Sequence, residues 1–217
     1  MIELGIYGGT FSPIHNGHIY AAERFYDALS LDRLLVIPTY LPPHKEADTG
    51  CTPEQRLAMT SLAFEENPRC IEVSDYEIQQ KGKSYTYLTL QHFSAPDTRL
   101  TFLCGTDMFL TFDEWKKPEI IFSLSRVALI RREDTDSETE EAIAAMKEHY
   151  RRDYSADIVE ILSKPIEISS TQIREQIRNG GNISGFVPQK ICDYIAAHRL
   201  YKENAAGGHD EQRNYSQ

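Results

Sequence analysis

The chain has 217 residues, 41% of them hydrophobic, and a formal net charge of −10. That is apolar material for one packed α/β core, without the basic surplus that general nucleic-acid binding needs. No run of 18 apolar residues occurs, which excludes a membrane-spanning helix.

The opening residues, MIELGIYGG, hold neither a basic region nor a long apolar stretch. No signal peptide is expected, and the chain is expected in the cytoplasm. Cys51, Cys70, Cys104 and Cys192 form no close pair. Zinc and redox motifs and structural disulfides are therefore not expected. Cys70 and Cys104 lie in apolar segments and read as small core residues.

In chain order, strands are predicted at Ile2 to Tyr7, Arg33 to Pro38, Cys70 to Val73, Arg99 to Cys104, Arg126 to Ile130 and Ile158 to Leu162. Helices are predicted between them at about 17–29, 53–66, 84–94 and 136–152. Thr52 followed by Pro53 marks one helix start. Ser169-Ser170-Thr171 opens a helix that Asn179-Gly180-Gly181 ends near Arg178. Val187-Pro188 starts a last one, to about His198. Arg131 to Glu141 reads as a charged surface loop entering a solvated helix, and the polar tail from Asn204 as disordered. The alternation predicts a parallel sheet covered on both faces, with ligands at the carboxyl ends of the strands.

The first such end carries GGTFSPIHNGH, Gly8 to His18. Gly8 and Gly9 let backbone N–H groups approach a ligand. Thr10 and Phe11 continue the loop, and the following helix start suits an anion. His15 and His18 could both face that anion and hold charge that builds on phosphorus oxygens. The alternatives are a turn with incidental histidines, or a zinc site that lacks further ligands at suitable spacing. The segment is neither a Walker A loop nor a GxGxxG fingerprint.

The second constellation is ISSTQIR, Ile168 to Arg174, which offers hydroxyls, backbone donors and a guanidinium at a helix start. Alone it is also an ordinary cap.

GGTFSPIHNGH resembles the HxGH signature of the nucleotidyltransferase superfamily, in the GGTFxPxHxGH form of nicotinate-nucleotide adenylyltransferases. ISSTQIR resembles the same family's ISSTxIR motif, which holds the triphosphate of ATP. The likeness runs from Ile2 to about Tyr201 and implies a Rossmann-like, doubly wound parallel sheet, with residues 1–203 as one nucleotidyltransferase domain. Ser12 stands where aspartate is commoner.

By this resemblance, Gly8, Gly9, Thr10, Phe11, His15, His18, Lys45, Asp107, Ile168, Ser169, Ser170, Thr171 and Arg174 meet ATP, with His15, His18 and Arg174 catalytic. Lys45 lies in a PPHK-like segment and is otherwise a loop lysine. Thr86, in Ser84-Tyr85-Thr86, meets the nicotinate carboxylate. Asp107, in Gly105-Thr106-Asp107, accepts from a ribose hydroxyl or caps the next helix. Trp115 stacks on the pyridinium ring, worth ~0.5–2 kcal/mol, or packs half-buried. Arg56 is expected to be structural, paired with an acid.

The implied reaction joins ATP and nicotinate mononucleotide into deamido-NAD and pyrophosphate, with Mg²⁺ carried in on ATP. Nicotinamide-mononucleotide or dual use, a phosphopantetheine adenylyltransferase, and a non-catalytic nucleotide-binding protein are the alternatives. Oligomeric state is open, and a homo-oligomer is compatible with the sequence.

Overall fold

A computed structural model describes residues 1–42, 50–164 and 167–202 of the chain. Lys45 and the tail from Asn204 lie outside these residues.

Six parallel strands form one sheet in the order β3-β2-β1-β4-β5-β6. They are β1 (Ile2–Gly9), β2 (Arg33–Pro38), β3 (Ile71–Val73), β4 (Thr98–Gly105), β5 (Ser125–Arg132) and β6 (Ile158–Ser163). Every neighbouring pair is parallel, with Gly5 opposite Leu34 on one side and Thr101 on the other. The chain winds outward from β1 to β3, then returns to β4 and winds the other way. β1 and β4 are thus the neighbours at which strand order reverses, and a crevice opens beyond their carboxyl ends.

Strand periodicity divides the core. In β2, Leu34 and Val36 face one layer while Leu35 and Ile37 face the other. The first layer packs under α1 (Asn16–Ala28), α2 (Pro53–Phe64), α8 (Ser170–Arg178) and α9 (Gln189–Ala197), through residues such as Phe25, Met59, Ile173 and Ile191. The second packs under α4 (Thr86–Phe93), α5 (Thr106–Phe109), α6 (Pro118–Leu124) and α7 (Ser137–Tyr154). A short α3 (Tyr76–Gln80) follows β3. Tyr150 of α7 is fully buried, and its hydroxyl donates to the Phe109 carbonyl at 2.9 Å.

The helix ends follow the signals in the sequence. Thr52 and Gln55 form a reciprocal capping box with Pro53 at the first turn of α2. α8 ends at Asn179, and Gly180 follows with φ +71°, a conformation glycine adopts without strain. Cys104 is buried in β4 as expected. Cys70 is not: it is exposed, because it stands just ahead of the three-residue edge strand β3 rather than within the sheet. Among the described residues, no helix is long and apolar enough to cross a membrane.

Candidate active site

The crevice beyond β1 and β4 is a cleft of about 830 Å³. Gly8 and Gly9 at the end of β1 and Thr10, Phe11 and Ser12 of the loop that follows line it. At Gly9 a Cβ would stand 2.7 Å from the Phe11 ring, so only glycine leaves room for that ring. At Gly8 there is no such demand, since a Cβ would meet only Phe102, at 4.0 Å. Phe11 itself adopts φ +48°, an unfavourable conformation for a side chain of its size.

His15 caps α1, its Nδ1 accepting from the His18 N–H at 3.4 Å. The two imidazoles are stacked, 3.7 Å between centroids and 22° between planes. His18 lines the cleft, whereas His15 is 5% exposed and outside the lining. Both rings therefore do not open equally to a ligand, because capping turns His15 back against the helix. Burial lowers the pKa of His15 to about 4. His18 is held well below the ordinary range by burial first and then by His15. Its Nδ1 is buried and has no hydrogen-bond partner among the described residues.

The head of α8 docks on the same loop. Ser170 Oγ donates to the Pro13 carbonyl at 2.9 Å, and Arg174 Nη1 to the Ser12 carbonyl at 2.8 Å. Arg174 Nη2 also reaches Thr171 Oγ1 at 3.1 Å. Ser169, Ser170, Thr171 and Arg174 all line the cleft. Ser169 is at the same time the cap of α8, in a capping box with Gln172. Ile168 does not line the cleft and instead packs against the apolar core. Ser12 is buried, its hydroxyl 3.4 Å from Tyr201 Oη.

Across the cleft, Thr86 occupies the first turn of α4, where N–H groups lack helical partners. Gly105 and Asp107 sit at the end of β4 and the start of α5. Gly105, not Asp107, holds the cap position of α5, so Asp107 presents an exposed carboxylate at the rim. Trp115 is half-buried, 4.7 Å from the Phe112 ring and edge-on to Phe102, and still lines the cleft.

The family model for cytidylyltransferase-like proteins matches residues 6–176, from β1 through most of α8, and so contains both constellations. The chain belongs to the cytidylyltransferase-like family. Proteins named probable nicotinate-nucleotide adenylyltransferases are similar over their full length. That of Clostridium botulinum Alaska E43 is 37% identical, covering 94% of this chain and 100% of the relative. That of Clostridium acetobutylicum is 38% identical, covering 93% and 100%. Plasmodium falciparum nicotinic acid mononucleotide adenylyltransferase, solved in complex with NaAD, shares the fold at a TM-score of 0.69. It is 19% identical, and the match covers 93% of this chain and 98% of that one.

The cytidylyltransferase-like cleft also holds residues that sequence reasoning missed. Glu77 of α3 is buried in its wall and accepts from Thr89 Oγ1 at 2.6 Å. Burial pushes its pKa up, opposed by the hydroxyls of Thr89 and Ser84 and by Arg56. Lys116 lines the cleft with its ammonium 5.4 Å from the Tyr85 ring centroid. Neither stands in a recognisable motif, and α3 itself is too short for periodicity to reveal. Arg56 departs from expectation. Its guanidinium hydrogen-bonds no acid among the described residues and donates instead to the carbonyls of Thr10 and Tyr40.

Proposed function

We propose that the cleft joins ATP to nicotinate mononucleotide, giving deamido-NAD and pyrophosphate, with residues 1–203 acting as one nucleotidyltransferase domain. The observation that carries this reading is the junction of the β1–α1 loop with the head of α8, through the Ser12 and Pro13 carbonyls, at the rim of one cleft. It places His18, the α8 hydroxyls and Arg174 around one volume.

The mononucleotide's 5′-phosphate oxygen attacks the α-phosphorus of ATP, and the bond from that phosphorus to the pyrophosphate oxygen breaks. A phosphate monoester has its second pKa near 6, so the nucleophile is already largely dianionic at pH 7 and needs no general base. The barrier is anion repulsion and alignment, which positioned donors lower. His18 donates to the α-phosphate region, and Arg174 with the Thr171 hydroxyl and the main-chain N–H groups at the head of α8 holds the departing pyrophosphate. His15, whose Nδ1 serves the helix cap, carries its proton on Nε2 and fixes the His18 ring by stacking. Mg²⁺ would arrive with ATP and would offset part of the phosphate charge.

The start of α4 at Thr86 receives the nicotinate carboxylate, by the same helix-end donors that favour any anion. Trp115 covers the pyridinium ring, and Asp107 accepts from a ribose hydroxyl. The test is pyrophosphate release with ATP and each mononucleotide in turn. Expected is release with nicotinate mononucleotide at a higher kcat/KM than with nicotinamide mononucleotide. No release with either would sink the reading.

A further inference from the structure

Arg56 is 2% exposed, one of the most deeply buried side chains in the molecule. It rides in the first turns of α2, set there by the Thr52–Gln55 capping box. Nη1 donates to the Thr10 carbonyl at 2.7 Å and Nη2 to the Tyr40 carbonyl at 3.0 Å. Its Nε is buried without a hydrogen-bond partner among the described residues. Glu54 and Glu77 favour its charge through space, yet among the described residues no acid hydrogen-bonds it, and a buried cation so held is costly to fold around, which makes a purely stabilising role a poor explanation.

Its two anchors lie on different walls. Thr10 belongs to the β1–α1 loop and lines the cleft. Tyr40 follows β2, and its N–H donates to the Ser84 hydroxyl oxygen at 2.9 Å, which ties it to the segment that leads into α4. Arg56 thus spans the ATP side and the mononucleotide side from behind. The Thr10–Phe11 peptide is trans, so the Phe11 N–H points opposite to the Thr10 carbonyl and away from Arg56. That N–H donates to no backbone carbonyl among the described residues. Phe11 holds its φ of +48° next to this anchor.

We propose that Arg56 is a positioning residue for adenylyl transfer: from behind the cleft it aims the Phe11 N–H at the polyphosphate, adds a buried positive charge that ATP complements, and keeps the two substrate walls in register. The proposal rests on the adenylyl-transfer reading. A cation hydrogen-bonded to one end of a peptide polarises it, strengthening the donor at the other end. In a low-dielectric wall that charge reaches the phosphates with little screening.

The test is steady-state kinetics of Arg56→Gln and Arg56→Lys with MgATP and nicotinate mononucleotide, after near-ultraviolet circular dichroism and thermal melting show each variant folded. Arg56→Gln is expected to raise the ATP KM about tenfold and leave the mononucleotide KM within about threefold, since the triphosphate carries more negative charge and faces the Thr10–Phe11 peptide that Arg56 holds. Arg56→Lys keeps the charge but lacks the planar fork, so the ATP KM stays within about threefold while kcat falls about tenfold. Folded variants with wild-type kcat and KM overturn the proposal, even if they melt at lower temperature. If Arg56→Gln does not fold, Arg56→Lys decides alone, and a wild-type kcat overturns it. Loss of folding in both variants makes Arg56 a structural staple and overturns it too. A wild-type chain that releases no pyrophosphate separately sinks the reaction, and the proposal with it.

Discussion

His18 lines the cleft, and its buried Nδ1 has no hydrogen-bond partner among the described residues, so the ring is not tied to a neighbour through that atom. Replacing it by Ala is expected to lower turnover by roughly 10²–10³, with a smaller loss of ATP affinity, as for removal of one preorganised donor. Single-turnover and binding measurements together separate these two effects. The depressed pKa of His15 has a consequence for stability. In the folded chain it titrates near 4, in the unfolded chain near 6.5. Between those values the unfolded state binds more protons, so stability present at neutral pH is lost as pH falls through that window. The loss from this group is about 2 kcal/mol between pH 7 and pH 5. Urea unfolding at both pH values should show a shallower pH dependence in His15→Gln than in wild type. Trp115→Ala should raise KM for the mononucleotide and leave that for ATP nearly unchanged. Equal effects on both substrates would instead assign Trp115 to packing on Phe112 and Phe102. Most of these residues were legible because they stand in two compact motifs, each at the start of a helix. Arg56 was not, because its partners are main-chain oxygens, which no residue letter encodes.

At the scale of elements, α1 must sit close to β1 for His18 to reach the cleft, and Gly5 sets that distance. A Cβ there would lie 2.5 Å from Leu31 Cδ1, 2.8 Å from Phe25 Cε1 and 2.9 Å from Leu34 Cδ1. Gly5→Ala is therefore expected to cost about 1–3 kcal/mol by overpacking. Chemical denaturation measures that cost directly. The six strands were readable from their apolar runs, and β2 has the bounds the sequence predicts. Helices with a cap and a long amphipathic face were readable too. α3, α5 and α6 were not, since five, four and seven residues are too few to establish a 3.6-residue period. For α6 a signal did exist: Pro118 is at its first turn. It was obscured by Lys117, which enters the helix from a left-handed conformation that its residue type does not announce.

At the scale of the molecule, the cleft belongs to a sheet whose strand order reverses between β1 and β4, and ligand energy there should feed into global stability. Saturation with MgATP at about 100 times its Kd should add about 2.7 kcal/mol to the unfolding free energy. A thermal-shift titration reads this, and Arg174→Met should show a smaller shift at equal ATP. The contacts that close the cleft join residues 157 and 162 positions apart, Ser170 with Pro13 and Arg174 with Ser12. A chain emerging from the ribosome can complete β1, α1 and β2 long before α8 exists. Until then the β1–α1 loop lacks its α8 neighbour, and the cleft lacks Ser169, Ser170, Thr171 and Arg174. Nucleotide should therefore stabilise the finished fold most, and a chain stopped ahead of α8 should gain less protection from proteolysis when MgATP is added.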